Sequence, residues 1–167
     1  SIIGEYHKQN DKLFQIVSKF NPKEFCKKKS IKERIEFNLD TLRVRSLYAY
    51  LFHSYKDYID YYEMFAEDLA ELNFQNRINK IGVSVHSNQE IKQVLDNDEI
   101  QLIQIPFNLL DNGTKREKIL SDAKQRGVEI HTRSVFLQGL FFKDTPSIKG
   151  NLRNLVPYLQ KLKSMET

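Results

Sequence analysis

The sequence predicts a parallel α/β fold, and three segments in its second half carry that prediction. They run over residues 80–84, 100–105 and 127–134, are rich in Ile, Val and Leu, and are separated by stretches whose apolar residues recur at helical spacing. Nearly continuous apolar strands that alternate with amphipathic helices are typical of a parallel sheet covered on both faces. Polar residues end each segment, where parallel α/β folds place their chemistry.

The first half of the chain continues this alternation. Residues 1–9 are predicted to form a helix with its apolar residues on one side, and residues 13–19 a short strand that ends before Pro22. Ser30 and Glu33 have the spacing of a capping box, and apolar residues recur every three or four positions after them. A second helix is therefore expected to begin at Ser30.

The remaining elements follow the same rule. Residues 46–53 are apolar and aromatic, which favours a strand. Helical spacing of apolar residues predicts helices over 56–76, 88–95, 115–126 and 152–165. Five strands joined by helical crossovers make either an open sheet or an arc of a barrel, and the chain contains no internal linker. We therefore predict a single domain spanning residues 1–167.

Composition restricts the class of protein. The chain has 167 residues, 40% of them apolar and 29% charged, and no apolar run reaches the roughly 18 residues of a membrane helix. Cys26 is the only cysteine, so no intrachain disulfide forms and a reducing, cytoplasmic location is expected. The net charge of +4 comes largely from a basic run over residues 23–34 without interleaved stacking aromatics. We expect neither a nucleic-acid nor a membrane partner, and oligomeric state stays open.

Two common site types are poorly supported. Glycines near the predicted strands occur singly, so the Gly-rich phosphate loops of dinucleotide-binding folds and P-loop proteins are not matched. His53, His86 and His131 lie at or near strand ends, where they would converge in a barrel. A metal-dependent hydrolase is retained as an alternative, although no metal-ligand motif accompanies these residues.

Several segments, in order, resemble the aldo-keto reductase family. They are Val17-Ser18-Lys19-Phe20, Leu39-Asp40-Thr41-Leu42 followed by the strand that ends in His53, Ile81-Gly82-Val83-Ser84, Gln104 with Ile105-Pro106-Phe107-Asn108, and the loop carrying Ser134, Gln138 and Gly139. The resemblance covers nearly the whole chain. It implies an α/β fold, the (β/α)8 TIM barrel. The barrel is incomplete in this chain, which has about five parallel strands and lacks the first two and the last barrel units.

The resemblance also implies an activity. Members reduce an aldehyde, ketone or sugar-derived carbonyl with NADP(H), or alternatively NAD(H), and Lys19 and His53 match the catalytic lysine and histidine. Ser84 and Gln104 match the residues that hold the nicotinamide amide. Ser134 and Gln138 match the loop that lies along the cofactor's pyrophosphate. Arg133 is also assigned to cofactor binding, at a position beside the nicotinamide. The corresponding partner is a small-molecule carbonyl substrate.

Each of these residues also has a structural interpretation. Lys19 is equally well interpreted as a surface lysine at a strand end. A hydrogen-bonded structural histidine is the alternative for His53, but its position at a strand end favours the functional interpretation. The amide of Gln104 lies in an apolar strand and needs a buried partner, which a neighbouring backbone group would supply as well as a cofactor. Ser84 is of a type that commonly forms turns at strand ends.

The sequence departs from the family pattern at several points. The catalytic tyrosine and aspartate of the family have no counterpart here, Val85 replaces an asparagine, and Arg133 replaces a tyrosine that stacks on the nicotinamide. Two strand edges with apolar faces are expected, so we predict either a segment of a longer polypeptide or a chain whose missing segments are disordered or removed. We expect this chain to be inactive alone. The alternative function is a non-catalytic relative that serves as a binding or regulatory module.

Overall fold

The computed structural model describes residues 1–11, 14–22 and 30–165. Leu13, Cys26 and most of the basic run lie outside these ranges. The strands are β1 (Val17–Phe20), β2 (Ala49–Phe52), β3 (Ile81–Ser84), β4 (Leu102–Pro106) and β5 (Glu129–Arg133). The helices are α1 (Ile2–Gln9), α2 (Ile31–Leu42), α3 (Tyr55–Phe74), α4 (Asn88–Leu95), α5 (Gly113–Gln125) and α6 (Val156–Lys163), with 3-10 turns over Leu137–Phe142, Thr145–Ser147 and Gly150–Leu155.

The five strands form one parallel sheet in chain order, β1-β2-β3-β4-β5. Registered pairs include Lys19 with Leu51, Ser84 with Gln104, and Pro106 with Arg133. This confirms the predicted α/β class and the five-strand arc. Because every strand runs in the same direction, all carboxyl ends lie along one rim, and β1 and β5 are its edges.

The two faces of the sheet differ. One face packs on helices α2 to α5 and forms the main core, which contains Phe20, Phe52, Val83 and Ile103 among many buried residues. The opposite face, which we call the open face, has a small apolar cluster of Ala49, Leu51 and Leu102. Successive side chains of a strand point to opposite faces, so alternate residues of each strand belong to the main core and to the open face. The polar residues of interest lie on the open face.

Side-chain caps begin most of the helices that cover the sheet. Ser30 and Ser87 each form a capping box with a glutamate three residues later, and the first of these confirms the predicted helix start. Ser54 caps α3 and Asn112 caps α5. Since Ser54 and Ser87 lie two and three residues beyond β2 and β3, the strand-to-helix loops at the carboxyl rim are short and fixed.

Two predicted elements differ from the structure. Residues 14–16 are not strand, and β1 begins at Val17 and extends to Phe20, where the buried phenylalanine ring contributes to the core. The predicted helix over 152–165 is split into a 3-10 turn and α6, with Pro157 in the first turn of α6. Proline has no amide hydrogen and a fixed φ, so it favours a helix start at this point.

A search of the described residues found no helix of sufficient length and hydrophobicity to cross a membrane.

Substitution of Gly82 tests the close approach of β3 and β4. A Cβ atom at Gly82 would lie 2.5 Å from the Leu102 carbonyl oxygen, a backbone atom that moves only if the sheet moves. Gly82→Ala is expected to lower the free energy of unfolding by about 1–3 kcal/mol, as overpacking does in cores. Gly113→Ala is the control, because a Cβ there meets nothing within 4 Å. Urea denaturation of both variants measures the effect, and equal stabilities would contradict the predicted clash.

Candidate active site

A direct hydrogen bond joins β1 to β4 across the open face. Lys19 Nζ donates to Gln104 Oε1 over 2.6 Å, although the two residues are 85 positions apart in sequence. This bond supplies the partner that the Gln104 amide requires in an apolar strand. It also fixes the Lys19 ammonium near the carboxyl rim. The Nε2 amide group of Gln104 keeps both of its hydrogens available among the described residues.

Two further predicted residues lie beside this pair. Ser84 is the registered neighbour of Gln104 on β3 and is almost completely buried. Arg133 is half-buried at the end of β5 and acts electrostatically on Lys19. Burial, and then the positive charge of Arg133, lowers the pKa of Lys19 below its ordinary value of 10.5. The site is therefore cationic and partly shielded from water.

Arg133 also contacts His86, which lies in the loop after β3. Its Nη2 atom lies 2.8 Å from His86 Nε2, while its Nε atom is buried and has no hydrogen-bond partner among the described residues. The His86 backbone is held by the Glu90 carboxylate and by buried Arg116. Sequence reasoning placed both His86 and Arg133 at strand ends but gave no signal that they touch.

Arg116 is a structural anchor that sequence analysis missed. The residue is 6% exposed, and its guanidinium forms a bidentate pair with Asp111, at 2.7 and 2.6 Å. The same group donates to the His86 carbonyl and to Asn88. The hydrogen bonds from Arg116 hold the pKa of Asp111 below its usual value of 3.8. The arginine thus ties the loop after β4 to the loop after β3.

The remaining predicted residues are at the same rim without direct contacts to Lys19 or Gln104. His53 follows β2 directly, is exposed, and has no hydrogen-bond partner among the described residues. Ser134 and Gln138 are exposed in the loop after β5. Both have positive φ angles, 59° and 54°, as does Leu137. Non-glycine residues with such angles are uncommon and cluster at functional loops.

The metal alternative is not supported by the geometry. His86 contacts Arg133, and His131 Nε2 lies 2.7 Å from a Glu129 oxygen. Over residues 1–11, 14–22 and 30–165, no three His, Cys, Asp or Glu side chains are grouped closely enough to hold a metal ion. The convergence of His53, His86 and His131 expected from their strand-end positions is therefore wrong for these residues.

A second polar network occupies the opposite, amino-terminal end of the open face. Tyr48 donates to Glu129 Oε2 over 2.6 Å, Lys80 contacts both of these residues, and His131 contacts the other Glu129 oxygen. The Tyr48 and His131 rings are parallel within 2°. These hydrogen bonds, led by the one from Lys80, lower the pKa of Glu129 from 4.5 to about 2. Because its groups bond one another, we interpret this network as structural.

Comparisons with known proteins place the chain in a family and show its fold. A model of the aldo/keto reductase family matches residues 1–165. No curated protein matches the sequence. Among solved structures, the chain is similar to an aldo-keto reductase from Bacillus halodurans, in its holo form, with 21% identity and a TM-score of 0.71. That similarity covers 95% of this chain and 57% of the other.

Two further solved structures show the same fold. An aldo/keto reductase from Klebsiella pneumoniae, in complex with NADP and acetate, has 17% identity, a TM-score of 0.63, and coverage of 94% of this chain and 55% of that one. A glycerol dehydrogenase from Gluconobacter oxydans has 21% identity, a TM-score of 0.62, and coverage of 90% and 48%. The chain therefore spans about half the length of these relatives.

The Glu129 network predicts a specific acid sensitivity. An ionised Glu129 with a folded-state pKa near 2 and an ordinary value of 4.5 stabilises the fold fully above pH 4.5, and that contribution is lost as the pH falls toward 2. Between pH 6 and pH 3, the wild-type protein is expected to lose about 1–2 kcal/mol more stability than Glu129→Gln, after allowance for solvent screening. Urea denaturation at both pH values measures this difference.

Glu117→Gln is the matched control for this experiment, since Glu117 is an exposed glutamate on α5. Its loss of stability between the two pH values should equal that of the wild type. An equal loss in all three proteins would show that Glu129 is not stabilised in its ionised form.

Proposed function

The chain belongs to the aldo/keto reductase family, and from this premise we propose that it forms the cofactor- and carbonyl-binding side of an NADP(H)-dependent oxidoreductase, with NAD(H) as the alternative cofactor. The substrate class is an aldehyde, ketone or sugar-derived carbonyl. The observation that carries the proposal is the Lys19–Gln104 hydrogen bond at the carboxyl rim, beside Ser84 and Arg133. Parallel barrels place their reacting groups at this rim.

The residues present are suited to a nicotinamide cofactor. Gln104 Nε2 is an available donor, the Ser84 hydroxyl is a donor and an acceptor, and together they suit a carboxamide group. The buried and unpartnered Nε of Arg133 is a donor that a bound phosphate oxygen or aromatic ring would satisfy. Ser134 and Gln138 extend this polar surface along the loop after β5. A bound nicotinamide supplies the hydride for carbonyl reduction.

Lys19 and His53 are the proposed catalytic residues. An ammonium group stabilises negative charge as it develops on an oxygen, and the effect is larger in a shielded site than in water. The lowered pKa of Lys19 also makes its ammonium a stronger acid than an ordinary lysine. A donor nitrogen of His53 would orient the carbonyl by hydrogen bonding. The sequence contains no match to the family's tyrosine, so we assign no phenolic proton donor here.

A second candidate function, a non-catalytic binding or regulatory module, is favoured by one observation. Lys19 donates to Gln104 Oε1, which occupies one of the two acceptor positions of that oxygen and leaves one for a cofactor carboxamide. Arg133 is also bonded to His86 at the position where relatives present a tyrosine. A pocket that retains its donors but has its lysine engaged in this way would bind a nicotinamide cofactor without turnover.

One titration separates these functions. The polypeptide that carries this sequence is titrated with NADPH and NADH by nicotinamide fluorescence, and turnover is then followed with 4-nitrobenzaldehyde. Binding with hydride transfer supports the reductase. Saturable binding without turnover supports the module, and failure to bind either nucleotide overturns both.

Lys19→Met tests the proposed catalytic role. Loss of the ammonium is expected to lower kcat by about 10²-fold or more, the usual range for a group that handles charge or a proton in the transition state. Cofactor affinity should change by about threefold at most, because the variant keeps Gln104. Lys8→Met, at an exposed position on α1, is the control. Unchanged kcat in Lys19→Met would remove Lys19 from the mechanism.

A further inference from the structure

A cavity at the carboxyl rim is not used by the proposed active site. It has a volume of about 460 Å³ and lies between the loop after β4, the loop after β5 and the end of α6. Gln104 and Pro106 belong to the open face, whereas Phe107 alternates to the other face and packs against the main core. Phe107 thus joins the wall of the cavity to the main core, and neither Lys19 nor Gln104 lines the cavity. We call it the aromatic cavity.

Four of the ten residues that line the aromatic cavity are phenylalanines, namely Phe107, Phe136, Phe141 and Phe142. Phe136 and Phe142 are 61% and 68% exposed, and their ring centroids lie 5.6 Å apart at an angle of 48°. Exposed aromatic rings gathered in a concavity are unusual for a surface that contacts only water. A flat ring inserted among them would gain both burial and tilted or offset ring contacts.

Asn108 presents an amide donor to the same cavity. It is 8% exposed, and its Oδ1 accepts the Leu110 N–H over 2.9 Å, which identifies that atom as the oxygen. The backbone of Asn108 is fixed by two hydrogen bonds with Asp111. The Nδ2 group therefore has a set orientation and no hydrogen-bond partner among the described residues. The hydrogens of this amide are therefore available to a ligand in the cavity.

Lys163 adds a positive charge at the same wall. Its ammonium lies 3.8 Å from an Asp144 oxygen, and the Asp144 side chain is 92% exposed. An ion pair this long and this exposed holds the lysine weakly. The available polar groups of the cavity are thus an amide donor and a cation. This set favours a ligand with acceptor oxygens and negative charge.

We propose that the aromatic cavity binds an aromatic carboxylate of one or two fused rings. The rings lie among the phenylalanines, and the carboxylate accepts hydrogen bonds from Asn108 Nδ2 and Lys163. The volume falls in the range of small-molecule sites, which are mostly apolar with a few convergent polar groups. The proposal is independent of the reductase function, because none of the residues assigned to that function contributes to the cavity wall.

The probe for this proposal is 2-naphthoate, followed by its own fluorescence. The sequence contains no tryptophan, so the protein contributes little interfering emission. Saturable binding at one site is expected. 2-Naphthalenemethanol, which has the same rings without the charge, and cyclohexanecarboxylate, which has the charge without aromaticity, should each bind at least about tenfold more weakly. Equal binding of either compound, or no binding of 2-naphthoate at millimolar concentration, would overturn the proposal.

Four variants locate the site. Asn108→Asp keeps the acceptor for Leu110 but replaces the donor by a negative charge, and it should weaken binding by about tenfold or more. Lys163→Gln should weaken binding by about three- to tenfold, whereas Lys161→Gln, on the same helix outside the cavity wall, should leave it unchanged. Lys19→Met should also bind as the wild type does, since its loss of binding would place the probe at the active site instead.

Two controls keep the test decisive. Circular dichroism establishes whether Asn108→Asp is folded. If it is not, Lys163→Gln and Phe142→Ala decide the outcome. Both of those side chains are substantially exposed, so their substitution should leave the fold intact. Phe142→Ala should weaken binding, and Phe74→Ala, an exposed phenylalanine at the end of α3, should not. Wild-type affinity in Asn108→Asp, Lys163→Gln or Phe142→Ala would contradict the assigned contacts.

Discussion

Parallel pairing of the five strands in chain order is the constraint on which the other features depend. It places every carboxyl end along one rim and every amino end along the other. Period-two alternation then assigns each strand residue to the helix-covered face or to the open face. Gly82 allows β3 and β4 to approach closely enough for this register. Once strand direction and register are set, Lys19 and Gln104 meet without any local sequence relationship.

The open face separates two kinds of electrostatic environment. At the carboxyl rim, burial and then the charge of Arg133 disfavour the charged form of Lys19. At the amino end, Lys80 is bonded to Glu129 and Tyr48, and the resulting network lowers the carboxylate pKa to about 2. Opposite charges that satisfy one another stabilise a fold. Two like charges that lie close together lower the stability of a fold, and such pairs are found more often at binding or catalytic sites.

The loops at the carboxyl rim are positioned by groups that do no chemistry themselves. Arg116 joins the loops after β3 and β4 through its bonds to Asp111 and the His86 carbonyl. The loop after β5 has several residues with positive φ, and a small core including Leu140 and Leu159 supports it beside α6. These supports create two separate spaces at one rim. One is the cationic site on the open face, and the other is the aromatic cavity, which shares no lining residue with it.

The sequence by itself determined the element order, the parallel class and the capping box at Ser30, because periodicity and caps are local properties of the chain. Resemblance to a family supplied the candidate site residues, whose roles stay predictions. Only the tertiary structure decided that Lys19 bonds to Gln104, that Arg133 contacts His86, and that His131 joins Glu129 instead of a metal site. Contacts between residues tens of positions apart depend on sheet register and loop packing, which local patterns do not specify.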